Sequence, residues 1–439
     1  MSGPSAQTRS VVIVSPYFPP SSVAGVHRAR HLANRLPAAG WTPIVLCVDE
    51  ARHAEKLDPD LAGLVRPDVE VVRTDAIRPA AARRLGLGDL SLRAWPQLRG
   101  VLHHLVGRRQ VRAVLITGAP FYPMLMAPGL VRRFGVPVVL DFQDPWVSHW
   151  GGLQSPFSKA GLAHRAATVC EPRALRGASF VTSVSDEQNR QMADRYAWLD
   201  PERMAAIPIG GDPDDFIALA ARSHPVARVE LEASHIHLSY VGTFLPRATA
   251  LVRTVFRAFA RLRAAEPALA ARIRLNFIGT SNQAADTAAP MVRSIAEAEG
   301  IAEWLSERPQ RAPYLSALDV LARSQGILLI GSDEPHYTAS KIYPALMSGR
   351  PYLSLFHAAS SAHAILSQAG GGCAFAFRDP AELAGLEQPI ALALRRLAAA
   401  PDGFAKADPA AYESYSADSV ARRFGAIFDR LALDASARL

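Results

Sequence analysis

The sequence predicts an α/β chain of two domains, each a parallel sheet covered by helices, with the two sheets facing each other across a cleft. Three observations carry that expectation. Short β-branched runs alternate with longer stretches of helical period, as strand-crossover-strand units require. The chain has 439 residues, long for one hydrophobic core and sufficient for two domains of about 200 residues each. Proline, glycine and aspartate cluster in IPIGGDPDDF at 207–216 and break the pattern between the halves.

The first half offers strands at 11–14, 44–48, 69–72, 114–116, 136–140 and 180–184, with helical segments at 27–36 and 186–196. The second offers strands at 236–241, 273–278, 326–330 and 351–355. The expected division is a first domain over 1–210, an irregular hinge over 211–234, a second domain over 235–409 and a terminal helix within 410–439. In that last segment Val420, Phe424, Ile427, Phe428, Leu431 and Leu433 recur near helical spacing, which predicts one buried face.

Hydrophobic residues make up 49% of the chain and charged residues 20%, a balance that excludes extended disorder. Cys47, Cys170 and Cys373 are scattered, which indicates neither a disulfide framework nor a zinc site and suits a reducing compartment. The start, MSGPSAQTRS, lacks the basic and long apolar parts of a signal peptide, and no apolar run reaches the roughly 20 residues of a membrane span. A cytoplasmic location is the expectation.

Net charge is +8, and lysine occurs only at positions 56, 159, 341 and 406, so arginine dominates. Between 73 and 112 nine arginines stand against Asp75 and Asp89. Such a segment suits anionic lipid at the inner face of a membrane, phosphate-bearing substrates or nucleic acid, and a solvated surface is the plain alternative. Nucleic acid ranks last, because no aromatic-interleaved basic motif or DNA-binding module accompanies the charge.

Four segments combine chemistry with placement. SPYFPPSSVAGVHRARHLANRL follows the first strand, and Gly25 there allows a ligand close to the backbone where a helix begins. VPVVLDFQDPW at 136–146 ends a strand in Asp141 and Asp144, the place where α/β enzymes carry functional side chains; capping of the next helix is the alternative for Asp144. YVGTFLPRATALVRTVF at 240–256 sets Gly242, Thr243 and Arg247 between a strand and a helix. GSDEPHYTASKIYPALMSGRPYLSL at 331–355 offers Ser340 as an N-cap and Lys341 in the first helical turn, where a bound anion would offset the unfavourable dipole. The acidic triplets DPD at 58–60 and DPDD at 212–215 fit turns better than a metal site.

Taken in order, SPYFPPSSVAGVHRARHLANRL, DFQDPW, IPIGGDPDDF, YVGTF and SKIYPALMSGRP resemble the glycosyltransferase family 4-like group of the GT-B fold over residues 11 to 360 or so. The resemblance implies two Rossmann-like domains and a retaining transferase. It places a nucleotide-sugar donor in the C-terminal domain and a glycan, lipid-linked or small-molecule acceptor mainly in the N-terminal one. It also implies a final helix that crosses back to the N-terminal domain, and neither cofactor nor metal, since cations and a helix N-terminus neutralise the leaving diphosphate. The candidate catalytic residues are then Asp141, Gln143 and Asp144. Gly25, Gly242, Thr243, Arg247, Arg308, Tyr337, Ser340 and Lys341 are the candidate donor set, and Phe18 and Arg28 the candidate acceptor contacts. The chain departs from the family pattern at Pro344, where a ribose-holding glutamate is usual, at Thr243, where arginine is frequent, and at Gln143, where a basic residue or histidine is frequent. A nucleotide-sugar epimerase and a non-catalytic sugar-binding protein are the rival readings.

Overall fold

Burial is continuous along the central strands, and it decides how the chain layers. In the computed structural model, which describes residues 9–84, 87–222, 229–281, 283, 287–334 and 340–436, the chain divides into two compact units. One comprises Met1–Gly210 with Ala417–Leu439, the other Gly211–Ser416.

The first unit is built on a seven-stranded sheet of order β3-β2-β1-β4-β5-β6-β7. Its strands are β1 (Arg9–Val14), β2 (Trp41–Val48), β3 (Glu70–Thr74), β4 (Val111–Gly118), β5 (Val138–Phe142), β6 (Phe180–Ser183) and β7 (Met204–Ala206), paired in parallel throughout. Val12, Val14, Val114, Ile116, Val138 and Leu140 face one way, under the helices Trp95–Arg108, Ala127–Phe134 and Lys159–Leu175. Their neighbours Val11, Ile13, Ala113, Leu115 and Val139 face the other way, under the helices Val26–Arg35 and Ala417–Ser436. Both faces are apolar because both are covered, as parallel sheets require.

The terminal helix buries Val420, Phe424, Phe428 and Leu431 in this unit, and Trp41 meets the Phe428 ring edge-on at 5.3 Å. Leu433 departs from the expected stripe and is 72% exposed. It lies nine residues on from Phe424, half a turn off the face that Val420, Phe424 and Leu431 share.

The second unit holds a six-stranded parallel sheet of order β10-β9-β8-β11-β12-β13. Its strands are β8 (Ile236–Val241), β9 (Ile273–Ile278), β10 (Leu305–Arg308), β11 (Gly326–Ile330), β12 (Tyr352–His357) and β13 (Gly372–Phe377). The helices Thr249–Ala265 and Leu383–Ala399 bury Val255, Phe256, Phe259, Leu394 and Leu397 against it. The segment expected as an irregular hinge contains the helix Asp214–Ala220, because Asp212 accepts from the Asp214 amide at 3.1 Å and two acidic residues fill the first turn. Residues 223–228 of that segment lie outside the described residues.

In both sheets strand order reverses beside the first strand: β2 and β3 lie to one side of β1 and β4 to the other, and β9 and β10 lie to one side of β8 and β11 to the other. Crevices form at the carboxyl ends of strands where order reverses, so β1/β4 and β8/β11 are where ligands are expected. Among the described residues no helix is long and apolar enough to cross a membrane.

One buried ion pair fixes the first unit. Asp141 lies inside β5 rather than past its end, in register with Thr117 of β4 and Thr182 of β6. Both threonine hydroxyls donate to it at 2.8 Å, and Arg28 Nε donates at 3.1 Å. Arg28 also donates to the carbonyls of Pro208, at 2.9 Å, and Ile207. Removing one partner strands a charge in the interior, so Asp141→Asn should lower unfolding free energy by about 3–5 kcal/mol. Denaturant titration with unchanged slope and a correspondingly lower midpoint is the expected result.

Candidate functional site

In the first unit the crevice between β1 and β4 is formed by the turn before the helix Val26–Arg35 and by the end of β5. Gly25 sits so close to this wall that a Cβ would stand 3.3 Å from the Ala119 carbonyl and 3.6 Å from Gln143 Oε1. Gln143 is buried, its Nε2 donating to Thr117 Oγ1 at 2.6 Å and to the Gly25 carbonyl at 3.2 Å, while its Oε1 is buried without a hydrogen bond among the described residues. Thr117 thus links Gln143 to Asp141, a role its place in LITG at the end of β4 does not advertise.

Asp144 is exposed at the turn after β5, and desolvation by the protein around its carboxyl raises its pKa above the ordinary range. Asp144 opens to solvent on one side and is crowded by protein on the others. The turn itself is anchored. Trp146 stacks on Phe121 at 5.3 Å, and the Val147 amide donates at 3.0 Å to Glu171, which also pairs with Arg195 at 3.1 Å.

Three of the candidate contacts are corrected by burial. Asp141 and Arg28 have no exposed surface and bind each other, so neither touches a substrate hydroxyl. Phe18 is 3% exposed and packs with Val11, Ile13 and Leu32 in the core. These side chains shape the site from behind it.

In the second unit the crevice between β8 and β11 gathers Gly242, Thr243 and Lys341. Gly242 has φ of 128°, and a Cβ there would stand 3.5 Å from Lys341 Cδ. Lys341 Nζ lies 3.9 Å from the centroid of the Tyr240 ring and donates to its hydroxyl, which donates in turn to the Thr243 carbonyl at 2.8 Å. Burial lowers the Lys341 pKa to about 7, and among the described residues no carboxylate pairs with it. An amine in that state gains from an arriving anion, which restores the charge that desolvation suppresses. Tyr240, the hydroxyl that holds both the amine and the turn, stands in YVGTF beside the residues read as functional, and its aromatic character alone reads as core.

Arg247 is half exposed and held by the acidic pair after β11: its Nε lies 2.6 Å from Asp333 Oδ1, and its Nη1 donates to Glu334. Hydrogen bonding to Asp333 holds its pKa above the usual arginine value. Exposed pairs of this kind are weak, so an anion of higher charge can exchange with them. Ser340 is exposed and does not cap: the helix Ile342–Met347 starts one residue later than expected, with Lys341 at the N-cap. Arg308 ends the edge strand β10, its carbonyl accepting from the Gly279 amide at 2.8 Å, and no contact brings it to Lys341 among the described residues. Tyr337 lies outside the described residues. No group of three or more His, Cys, Asp and Glu among the described residues is arranged to hold a metal ion.

Gly242 carries a local prediction. Its left-handed φ favours glycine, so Gly242→Ala should cost about 1–3 kcal/mol, read as a lowered midpoint in thermal unfolding.

Residues 24–210 match the family model described as a glycosyl transferase 4-like domain. No curated protein sequence matches the chain. Among solved structures, HepE of Anabaena in complex with UDP-glucose is similar at 13% identity and a TM-score of 0.58, over 96% of this chain and 99% of that one. A glycosyltransferase of Rickettsia africae is similar at 13% identity and 0.58, over 97% and 99%. An α,α-trehalose 6-phosphate synthase of Burkholderia multivorans is similar at 14% identity and 0.58, over 98% of each chain. At such identity the likeness is one of fold. Residues 24–210 thus resemble a glycosyl transferase 4-like domain, and the chain as a whole has the GT-B fold of two parallel-sheet units.

Proposed function

We propose that the chain moves a sugar from a nucleoside-diphosphate sugar to an acceptor hydroxyl, with retention at the anomeric carbon and without a metal, in bacterial glycan or glycoconjugate synthesis. The observation that carries this reading is Lys341, a desolvated amine without a carboxylate partner among the described residues, at the strand-order reversal of the second sheet. Cleavage of the anomeric bond leaves its electron pair on the diphosphate, and a preorganised cation stabilises that charge best where water is excluded. Lys341 fills that role, with Arg247 joining it by exchanging Asp333 and Glu334 for phosphate oxygens.

The acceptor belongs to the first unit, where Asp144 is the exposed carboxylate at the end of β5. It orients the attacking hydroxyl, whose proton passes to the departing phosphate oxygen as the new glycosidic bond forms on the same face. Gln143 Oε1, buried and without a hydrogen bond among the described residues, is a second acceptor in the same crevice. UDP-sugars are the first donors to test, because HepE, similar in fold, was solved with UDP-glucose.

Lys341→Ala should lose roughly 10- to 1,000-fold in turnover, measured as nucleotide release with and without acceptor; wild-type turnover would remove Lys341 from the site. Turnover should also persist in excess EDTA, and a loss restored by magnesium or manganese would contradict the metal-free reading. Proton linkage gives an independent check. With a free-state pKa of about 7, the amine is protonated below that pH and neutral above it. A bound diphosphate raises the pKa, so donor affinity is highest below pH 7 and falls by up to about tenfold per unit above it. Calorimetry across that range should show the slope in the wild type and not in Lys341→Met.

A further inference from the structure

One face of the first unit's sheet is covered by three adjacent helices, Trp95–Arg108, Ala127–Phe134 and Lys159–Leu175. Their outer sides expose Arg99, Arg132, Arg133, Lys159, Arg165 and Arg173. The sole acidic residue within the three is Glu171, which is buried and bonded to the Val147 amide and Arg195. The face is therefore uniformly cationic.

Beside and on the third helix lies an apolar cluster. Trp150, Leu153 and Phe157 are 60%, 70% and 85% exposed, and Leu162 and Val169 are 53% and 51% exposed. Of the ten exposed large hydrophobic residues among those described, five fall between Trp150 and Val169. Such a concentration is not the scatter that ordinary surfaces show. Leu162 and Val169, seven residues apart, share one stripe of the helix with Arg173, and the Arg165 guanidinium lies 5.8 Å from the Phe157 ring. Aromatic and aliphatic side chains flanked by cations are the composition of a surface that enters the interface of an anionic bilayer.

We infer that this helical face docks the protein on an anionic lipid bilayer, with Trp150, Leu153, Phe157 and Leu162 entering the headgroup region and the arginines of the three helices facing the lipid phosphates. Other occupants fit less well. Nucleic acid would leave Leu153, Leu162 and Val169 without a partner, and a second copy would bring its own arginines against these. The inference stands apart from the donor reading, since its residues all belong to the first unit and Lys341 to the second.

The test is co-sedimentation of the full chain, without nucleotide sugar, with vesicles of phosphatidylglycerol and phosphatidylcholine and with vesicles of phosphatidylcholine alone. Binding is expected on the anionic vesicles only, weakening as salt rises. Phe157→Asp with Leu162→Asp, and separately Arg132→Glu with Arg133→Glu, should each lower the bound fraction at least about tenfold. These exposed substitutions should leave the thermal midpoint unchanged. Lys341→Ala should bind vesicles like the wild type, so the donor reading and this one fail separately. The inference is overturned if anionic vesicles are not bound or if both pairs of substitutions leave binding unchanged. Salt-sensitive retention of single-stranded RNA in place of vesicles would overturn it in favour of nucleic acid. Self-association that Phe157→Asp abolishes, with no vesicle binding, would overturn it in favour of a second copy.

Discussion

The Arg28–Asp141 ion pair, with no exposed surface on either side chain, is the constraint on which the first unit depends. Two charges in the interior are costly to desolvate unless both are hydrogen-bonded, and here the bonds come from separate parts of the chain. Asp141 draws on Thr117 of β4 and Thr182 of β6, and Arg28 reaches the carbonyls that follow β7. The guanidinium also lies 5.2 Å from the Phe424 ring of the terminal helix. The first helix, three adjacent strands, the segment after β7 and the last helix are thereby held in one arrangement. Thr117 extends it to Gln143 and Gly25, at the mouth of the crevice.

The second unit treats its cation in the opposite way. Lys341 has a phenol for a partner, and burial alone sets its proton affinity. Where a fully buried cation meets a carboxylate, the result is a fixed scaffold; where a partly buried one meets none among the described residues, the site is left to gain from a ligand's charge. Arg247 stands between these cases, exposed and already paired with Asp333 and Glu334. That pairing spares the open site an uncompensated second cation, and its exposure keeps the exchange with phosphate inexpensive.

Much of this was legible in the sequence where a physical signal was strong and local. All six strands expected in the first half, and the four expected in the second, are present within a residue or two at most ends. β7, β10 and β13 were not anticipated: MAA and LSER are too short to show a period, and GCAFAF carries no β-branched residue. Asp141 was misread because the strand runs two residues further than its apolar core, so a carboxylate satisfied by cross-strand threonines looked like one at a strand's end. Phe18 and Arg28 were misread for the converse reason, since a proline-rich loop and the helix after it conceal how deeply each side chain reaches. The place of Lys341 at a helix start was legible, and it stands out there because a lysine contradicts the dipole. Its phenol partner lies about a hundred residues away in sequence, which no local pattern discloses.

The central claim is that Lys341 is a desolvated amine poised for a diphosphate, and the chain's four lysines make it directly measurable. In protein labelled with carbon-13 at lysine Cε, a pH titration followed by NMR should resolve one side chain, absent from Lys341→Arg, that titrates near pH 7. Adding a nucleotide sugar should move that titration upward. A Lys341 resonance that titrates in the ordinary lysine range and is unmoved by any nucleotide sugar would contradict the account.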